Sequence, residues 1–190
     1  MKMEAYNQNI KLVMKKLNLA IAIGAIVLLS AFTIYNTNWN IDNNFNIHFV
    51  GTKVEGNFEK FKGKVVFDEN ELATSKFSLV AEVESIATGN FLKNYHAKGD
   101  KWFDAKKYPN ISFTSSKFSK TTKGYEVVGL LNIHGVEKEI TIPFTFTNDI
   151  FKGNFSVNRL DYKIGTMEGM SKKVSNEIKI DFSVPVSRSK

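Results

Sequence analysis

Lys76-Phe77-Ser78-Leu79-Val80-Ala81-Glu82-Val83 is the stretch on which the fold turns. Phe77, Leu79, Ala81 and Val83 alternate with Lys76, Ser78, Val80 and Glu82, so an extended chain here puts its apolar residues on one face. A period of two belongs to a β-strand with one buried side, not to a helix. The pattern recurs in Ile140-Thr141-Ile142-Pro143-Phe144-Thr145-Phe146, and again where Ile178, Ile180 and Phe182 alternate with Lys179, Asp181 and Ser183. Further strands are expected at 45–54, 63–68, 111–118, 125–134 and 153–160. Between them lie turn formers: Asp68-Glu69-Asn70, Lys123-Gly124, His134-Gly135 and Asn148-Asp149. About eight strands joined by short turns form an all-β, antiparallel meander. Such a meander gains by closing into a barrel, because closure leaves no unpaired edge.

One segment breaks the alternation. Residues 88–104 place Phe91, Leu92, Tyr95, Trp102 and Phe103 at irregular spacing. They are expected to form an aromatic-rich excursion with a short helix around 90–97, returning to a strand at Pro109. An excursion of this kind can plug or lid one mouth of a barrel. Eight strands enclose an interior that is either filled by side chains or holds one small ligand. Periodicity leaves both cases open.

The N-terminus is organised differently. Residues 17–35 contain no charge and follow Lys11, Lys15 and Lys16. A basic flank before an apolar run is a secretory signal or a signal anchor. The strongest part, 19–29, has signal-peptide length, and the whole run is just long enough to cross a bilayer as a helix. Ala31 and Thr33 offer a mediocre cleavage site. The expected organisation is therefore a signal or anchor helix over 1–36 and a barrel domain over 39–188. The barrel would be exported: periplasmic, secreted, or held outside the cytoplasm by membrane anchoring through 17–35.

Composition narrows the function. The chain is 43% hydrophobic and 13% aromatic, far from a disordered composition. Sixteen Phe against two Trp supply bulk with no polar handle, which suits a dry core or an apolar cavity lining equally. Of the net charge of +7, Lys2, Lys11, Lys15 and Lys16 against Glu4 account for +3 ahead of the barrel. The remainder suits weak attraction to an anionic membrane surface. Lysines scattered along alternating strands, with Arg159 and Arg188 the only arginines, argue against a nucleic-acid partner. Cysteine is absent, which removes disulfides, thiolate chemistry and a lipid-modified cysteine.

Ordered motifs then become specific. The chain carries Trp39-Asn40-Ile41-Asp42, Gly56-Asn57-Phe58, Phe61-Lys62-Gly63 and Ser85-Ile86-Ala87-Thr88-Gly89-Asn90. It continues with 96–104 (HAKGDKWFD), 107–113 (KYPNISF), 129–136 (GLLNIHGV) and Arg159-Leu160-Asp161-Tyr162. In this order and spacing the sequence from 39 to 186 resembles the YceI family of polyisoprenoid-binding proteins. The resemblance implies an extended, lipocalin-like barrel whose lumen holds a long isoprenoid, in a protein that is secreted or periplasmic and has no assigned catalytic residues. Three departures involve polar groups: Asn43-Asn44-Phe45-Asn46 after Asp42, Ala87 in place of an Asp, and Lys93-Asn94 where Arg-Asp is usual.

The residues expected to contact a lipid are Phe45, Ile47, Phe49, Phe58, Phe61, Phe67, Trp102, Phe103 and Phe113. Phe45, Ile47 and Phe49 share one strand face and make a continuous apolar track. Burying a chain along such a track is favourable at ~25 cal/mol per Å². His96 and His134 are candidate contacts for a polar head group, against the plainer reading that each holds a turn. Two imidazoles with no carboxylate or cysteine at ligand spacing fall short of a metal site. No Gly-x-Ser-x-Gly elbow, His-Glu-x-x-His or phosphate-cradling glycine loop is present, so no catalytic residue, metal or cofactor is expected. Asp161 beside Arg159 reads as a structural ion pair. The expected function is an exported carrier or sequestering protein for an isoprenoid or other long-chain lipid. The alternatives are an enzyme acting on a lumen-bound lipid, and a stress-related envelope module binding a protein.

Overall fold

The structure, a computed structural model, describes residues 38–165, 168, 169 and 171–189, together with Met3. The apolar run 17–35, expected as signal or anchor, lies outside them. The strands are β1 (Asn38–Ile41), β2 (Asn46–Gly51), β3 (Val54–Phe58), β4 (Phe61–Val66), β5 (Lys76–Glu82) and β6 (Ile86–Ala87). They continue with β7 (Asn110–Thr121), β8 (Gly124–Ile133), β9 (Val136–Thr147), β10 (Ile150–Asn158) and β11 (Glu177–Arg188). One helix of eight residues, α1 (Phe91–Lys98), interrupts them.

Every pairing is antiparallel, and the order β1-β4-β5-β7-β8-β9-β10-β11 returns to β1, giving a closed barrel of eight strands. The short strands are pieces of longer ones. β11 meets β1 near its C-terminus, at Val186–Arg188, and β2 nearer its N-terminus, at Lys179–Ser183. β1 and β2 therefore form one line along the barrel wall, as do β3 and β4, and β5 and β6. The alternating pattern fixed the inward residues but not these breaks. They come from local kinks such as the 3-10 turn at Val83–Ser85.

All connections of more than a few residues except 67–75 fall at one end. There lie the β2–β3 turn, the excursion 88–109, the His134-Gly135 turn and the crossing 159–176. His134 and Gly135 both have positive φ, at 54° and 74°, as a two-residue type I′ hairpin requires. Asn148 and Asp149, at 52° and 57°, do the same at the opposite end.

That opposite end is solid. Phe67 follows β4 and is only 1% exposed. Its ring lies 5.2–6.2 Å from those of Phe77, Phe118, Tyr125, Phe144, Phe146 and Phe151, mostly edge to face. Edge-to-face contact satisfies the ring quadrupoles, and each such pair adds about 0.5–1.5 kcal/mol beyond area burial. The indole of Trp39 donates to the Phe67 carbonyl at 3.0 Å, pinning the backbone that carries this ring. A floor of aromatic rings closes the barrel here.

Candidate functional site

Above the floor the interior is hollow. A cavity of about 1220 Å³ runs up to the other end, where the long connections surround its mouth. It is lined by alternate residues of the strands: Val127, Leu131 and Ile133 from β8, Phe151, Phe155 and Val157 from β10, and Ile178, Ile180, Phe182 and Val184 from β11. Phe155, Val157, Ile178, Ile180 and Phe182 are only half-buried although they point inward, because the surface they leave uncovered faces the cavity. From Phe151 to Asn158 the strand rises about 23 Å. At a strand tilt of about 40° that is roughly 18 Å of barrel axis. At about 30 Å³ per heavy atom the volume accommodates an apolar chain of about 40 such atoms.

Glycines shape this space. On β8 the inward position between Val127 and Leu131 is Gly129, where a Cβ would come within 2.6 Å of the Phe113 ring. On β10 the inward Gly153 is covered in the same way by Phe182, at 2.6 Å. The missing side chains let these rings lie flat against the wall instead of crossing the lumen.

Two segments form the lips of the mouth. In the first, Asn90 caps α1 by accepting a hydrogen bond from Lys93 N at 3.0 Å, and Asn94 Oδ1 accepts from Thr88 N and Thr88 Oγ1 at 2.8 and 2.7 Å. Asn94, one of the departures from the family pattern, thus ties the helix to the end of β6. Ala97, Phe103 and Ala105 pack the excursion onto Phe49, Phe58 and Ile86. In the second, Arg159 is 3% exposed and donates to the carbonyls of Ile164, Ser171, Val174 and Ser175 at 2.8–3.2 Å. One guanidinium thereby ties Ile164 to the segment 171–175. Its charge rests on carbonyl dipoles, and burial lowers its pKa. The Trp102 ring lies 5.5 Å from it and joins the two lips. The expected Arg159–Asp161 pair does not form. Asp161 instead accepts from Lys138 at 2.8 Å, because the 3-10 turn at Arg159–Tyr162 sends Arg159 inward and Asp161 to the surface. Burial, and secondarily Asp161, pushes the Tyr162 phenol above its ordinary pKa.

Of the residues expected to contact a lipid, Ile47, Phe49, Phe58, Phe61, Trp102, Phe103, Phe113 and His96 line the cavity. Phe67 lies in the floor beneath it. Phe45 packs on the Phe61 ring at 5.7 Å without reaching the lumen. His134 sits in its hairpin turn under Tyr108, ring centroids 4.4 Å apart, away from the cavity. The sequence reading passed over the lining residues of β8 to β11 and the role of Arg159. The first were legible as apolar faces, such as Ile178, Ile180 and Phe182. The second had little signal, since an arginine held by backbone carbonyls and the Asn176 amide oxygen, at 3.3 Å, leaves no carboxylate partner to find. Among the described residues no three His, Cys, Asp or Glu side chains are grouped as a metal would need. The lining is apolar, and four lysines stand at its mouth: Lys53, Lys93, Lys101 and Lys173.

Comparison with known proteins agrees with this architecture. The family model described as the YceI-like domain matches residues 18–186. A UPF0312 protein of Yersinia enterocolitica is 30% identical over 145 residues, covering 71% of this chain and 74% of that protein. Among solved structures, BcnA of Burkholderia cenocepacia superposes with a TM-score of 0.71 at 30% identity, over 78% of this chain and 99% of its own. A polyisoprenoid binding domain from Saccharophagus degradans, implicated in plant cell wall breakdown, shares the fold with a TM-score of 0.61 at 16% identity, over 80% and 98%. The chain belongs to the YceI-like family.

Proposed function

We propose that this YceI-like protein holds one long apolar molecule, an isoprenoid or similar lipid, in its barrel lumen. It does so as a carrier or sequestering protein outside the cytoplasm. The observation that carries the reading is the shape of the interior: about 1220 Å³, apolar along its length, floored by aromatic rings and open at one end. An elongated molecule can enter tail first and leave its head at the mouth. Apolar burial at ~25 cal/mol per Å² is then enough for tight binding without a strong polar contact. The description of a protein of the same fold as a polyisoprenoid binding domain supports the same substrate class. Export is supported by the uncharged run 17–35 behind Lys11, Lys15 and Lys16. A binding role is supported by the predominantly apolar lining. Mass spectrometry of an organic extract of natively purified protein tests it. A stoichiometric long-chain lipid is expected; protein that is always empty and fails to take up added chains overturns it.

A further inference from the structure

Helix α1 carries three of the four large hydrophobic side chains that stand exposed on the described barrel: Phe91 at 85%, Leu92 at 60% and Tyr95 at 69%. At 100° per residue they fall within an arc of about 100° on one side of the helix. The opposite side is already used, with Asn94 bonded to Thr88 and Ala97 packed against the barrel. The three are therefore not a core face awaiting completion. They form an apolar knob at the rim of the cavity, and Lys93, His96 and Ala97 of the same helix line its mouth.

Lysines outnumber carboxylates around the knob, although Glu55 and Glu168 also line the cavity. The excursion 88–109 holds five lysines against Asp100 and Asp104. Lys53 and Lys173 stand at the mouth from two other connections, and neither they nor Lys93 and Lys101 are paired with a carboxylate among the described residues. At the floor end the one long loop, 67–75, carries Asp68, Glu69 and Glu71, while Lys76, Lys120, Lys123 and Arg188 stand at the neighbouring strand ends. Exposed apolar side chains and lysines without a carboxylate partner thus occur together where the lumen opens. Aromatic and aliphatic side chains ringed by lysines are what a surface needs to insert shallowly into an anionic bilayer.

We infer that α1 is a membrane-docking element, which seats the mouth on an anionic lipid bilayer so that the lumen exchanges its ligand with the membrane directly. The inference rests on the lumen reading above. It adds where the ligand comes from: a long apolar chain has negligible solubility in water, so exchange through a bilayer-seated mouth removes the step through solvent.

The full chain can be tested because it contains no cysteine. Leu92→Cys at the mouth and Lys123→Cys at the floor end are each labelled with an environment-sensitive fluorophore. They are then mixed with phosphatidylcholine vesicles with and without phosphatidylglycerol. The label at 92 is expected to shift to the blue and to be quenched by nitroxide-labelled lipid, more strongly with phosphatidylglycerol. The label at 123 is expected to stay in water. A label at 92 that stays in water, or labels that respond alike, overturns the inference. In a second measurement Phe91, Leu92 and Tyr95 are changed together to Ser, none of them a lining residue. Uptake of the fluorescent polyene cis-parinaric acid from vesicles is expected to fall about tenfold or more, while its uptake from dilute ethanolic solution is unchanged. Equal uptake from vesicles by both proteins refutes docking and leaves the lumen reading intact. Failure of the unaltered chain to take up the probe by either route refutes the lumen reading.

Discussion

Leu79→Trp separates a hollow barrel from a filled one. Leu79 lines the cavity two residues above Phe77 of the floor, and it is only half-buried. Tryptophan adds six heavy atoms at this point, so the longest chain the lumen accepts shortens by about six of its roughly 40 heavy atoms. Each methylene kept out of the lumen forfeits about 0.8 kcal/mol. A chain long enough to fill the unaltered cavity therefore loses up to about 5 kcal/mol, roughly a thousandfold or more in affinity. One about ten atoms shorter loses almost nothing. Displacement of a fluorescent probe by a series of linear and isoprenoid alcohols of increasing length reads this directly. The expected result is a break in the affinity-versus-length curve that moves to shorter chains in the variant. Stability provides the control. In a filled core the added ring costs about 1–3 kcal/mol of overpacking, whereas in a hollow lumen Tm holds or rises. An unchanged length dependence together with a clear loss of Tm would refute the cavity.

The floor should behave in the opposite way. Phe67→Ala removes a ring in contact with six others and is expected to cost about 3–5 kcal/mol in denaturant unfolding; a cost below about 1 kcal/mol contradicts a packed floor. Arg159→Met leaves several buried carbonyls without donors, and hydrogen exchange over 159–176 is expected to accelerate while strands β7 to β9 keep their protection. Asp161→Asn, which breaks only the exposed pair with Lys138, is expected to change stability by less than about 1 kcal/mol. Tyr125 donates to Glu69 Oε1 at 2.6 Å, and this carboxylate, with burial, pushes the phenol up to about 12. A raised phenol contributes stability that is fully present below the unfolded value near 10 and is lost as the pH rises through about 12. The fall in stability between pH 10 and 12 is therefore expected to be shallower in Tyr125→Phe; parallel curves would show that the hydroxyl does not titrate as stated.

The barrel was legible in the sequence because its cause is local. Alternation at Phe77, Leu79, Ala81 and Val83 states which side chains face inward without reference to any other strand, and turn residues such as His134-Gly135 state where the chain reverses. The motifs of residues 39–186 carried the family for the same reason. What alternation cannot state is how deep along the axis an inward residue lies, since depth depends on register and shear among eight strands. Phe67 and Phe113 read alike in sequence, yet one is sealed in the floor and the other lines the lumen. Arg159 and Asp161 are two residues apart, and only the 3-10 turn sends one to buried carbonyls and the other to Lys138. Whether the interior is filled or hollow is likewise a sum over the whole closed ring. It is set by where Gly129 and Gly153 let rings lie against the wall. Sequence by itself determined an all-β barrel of the YceI-like family with apolar residues pointing in. Only the closed structure decided that they surround a space, that one end is shut by aromatic rings, and that the other opens beside the exposed face of α1.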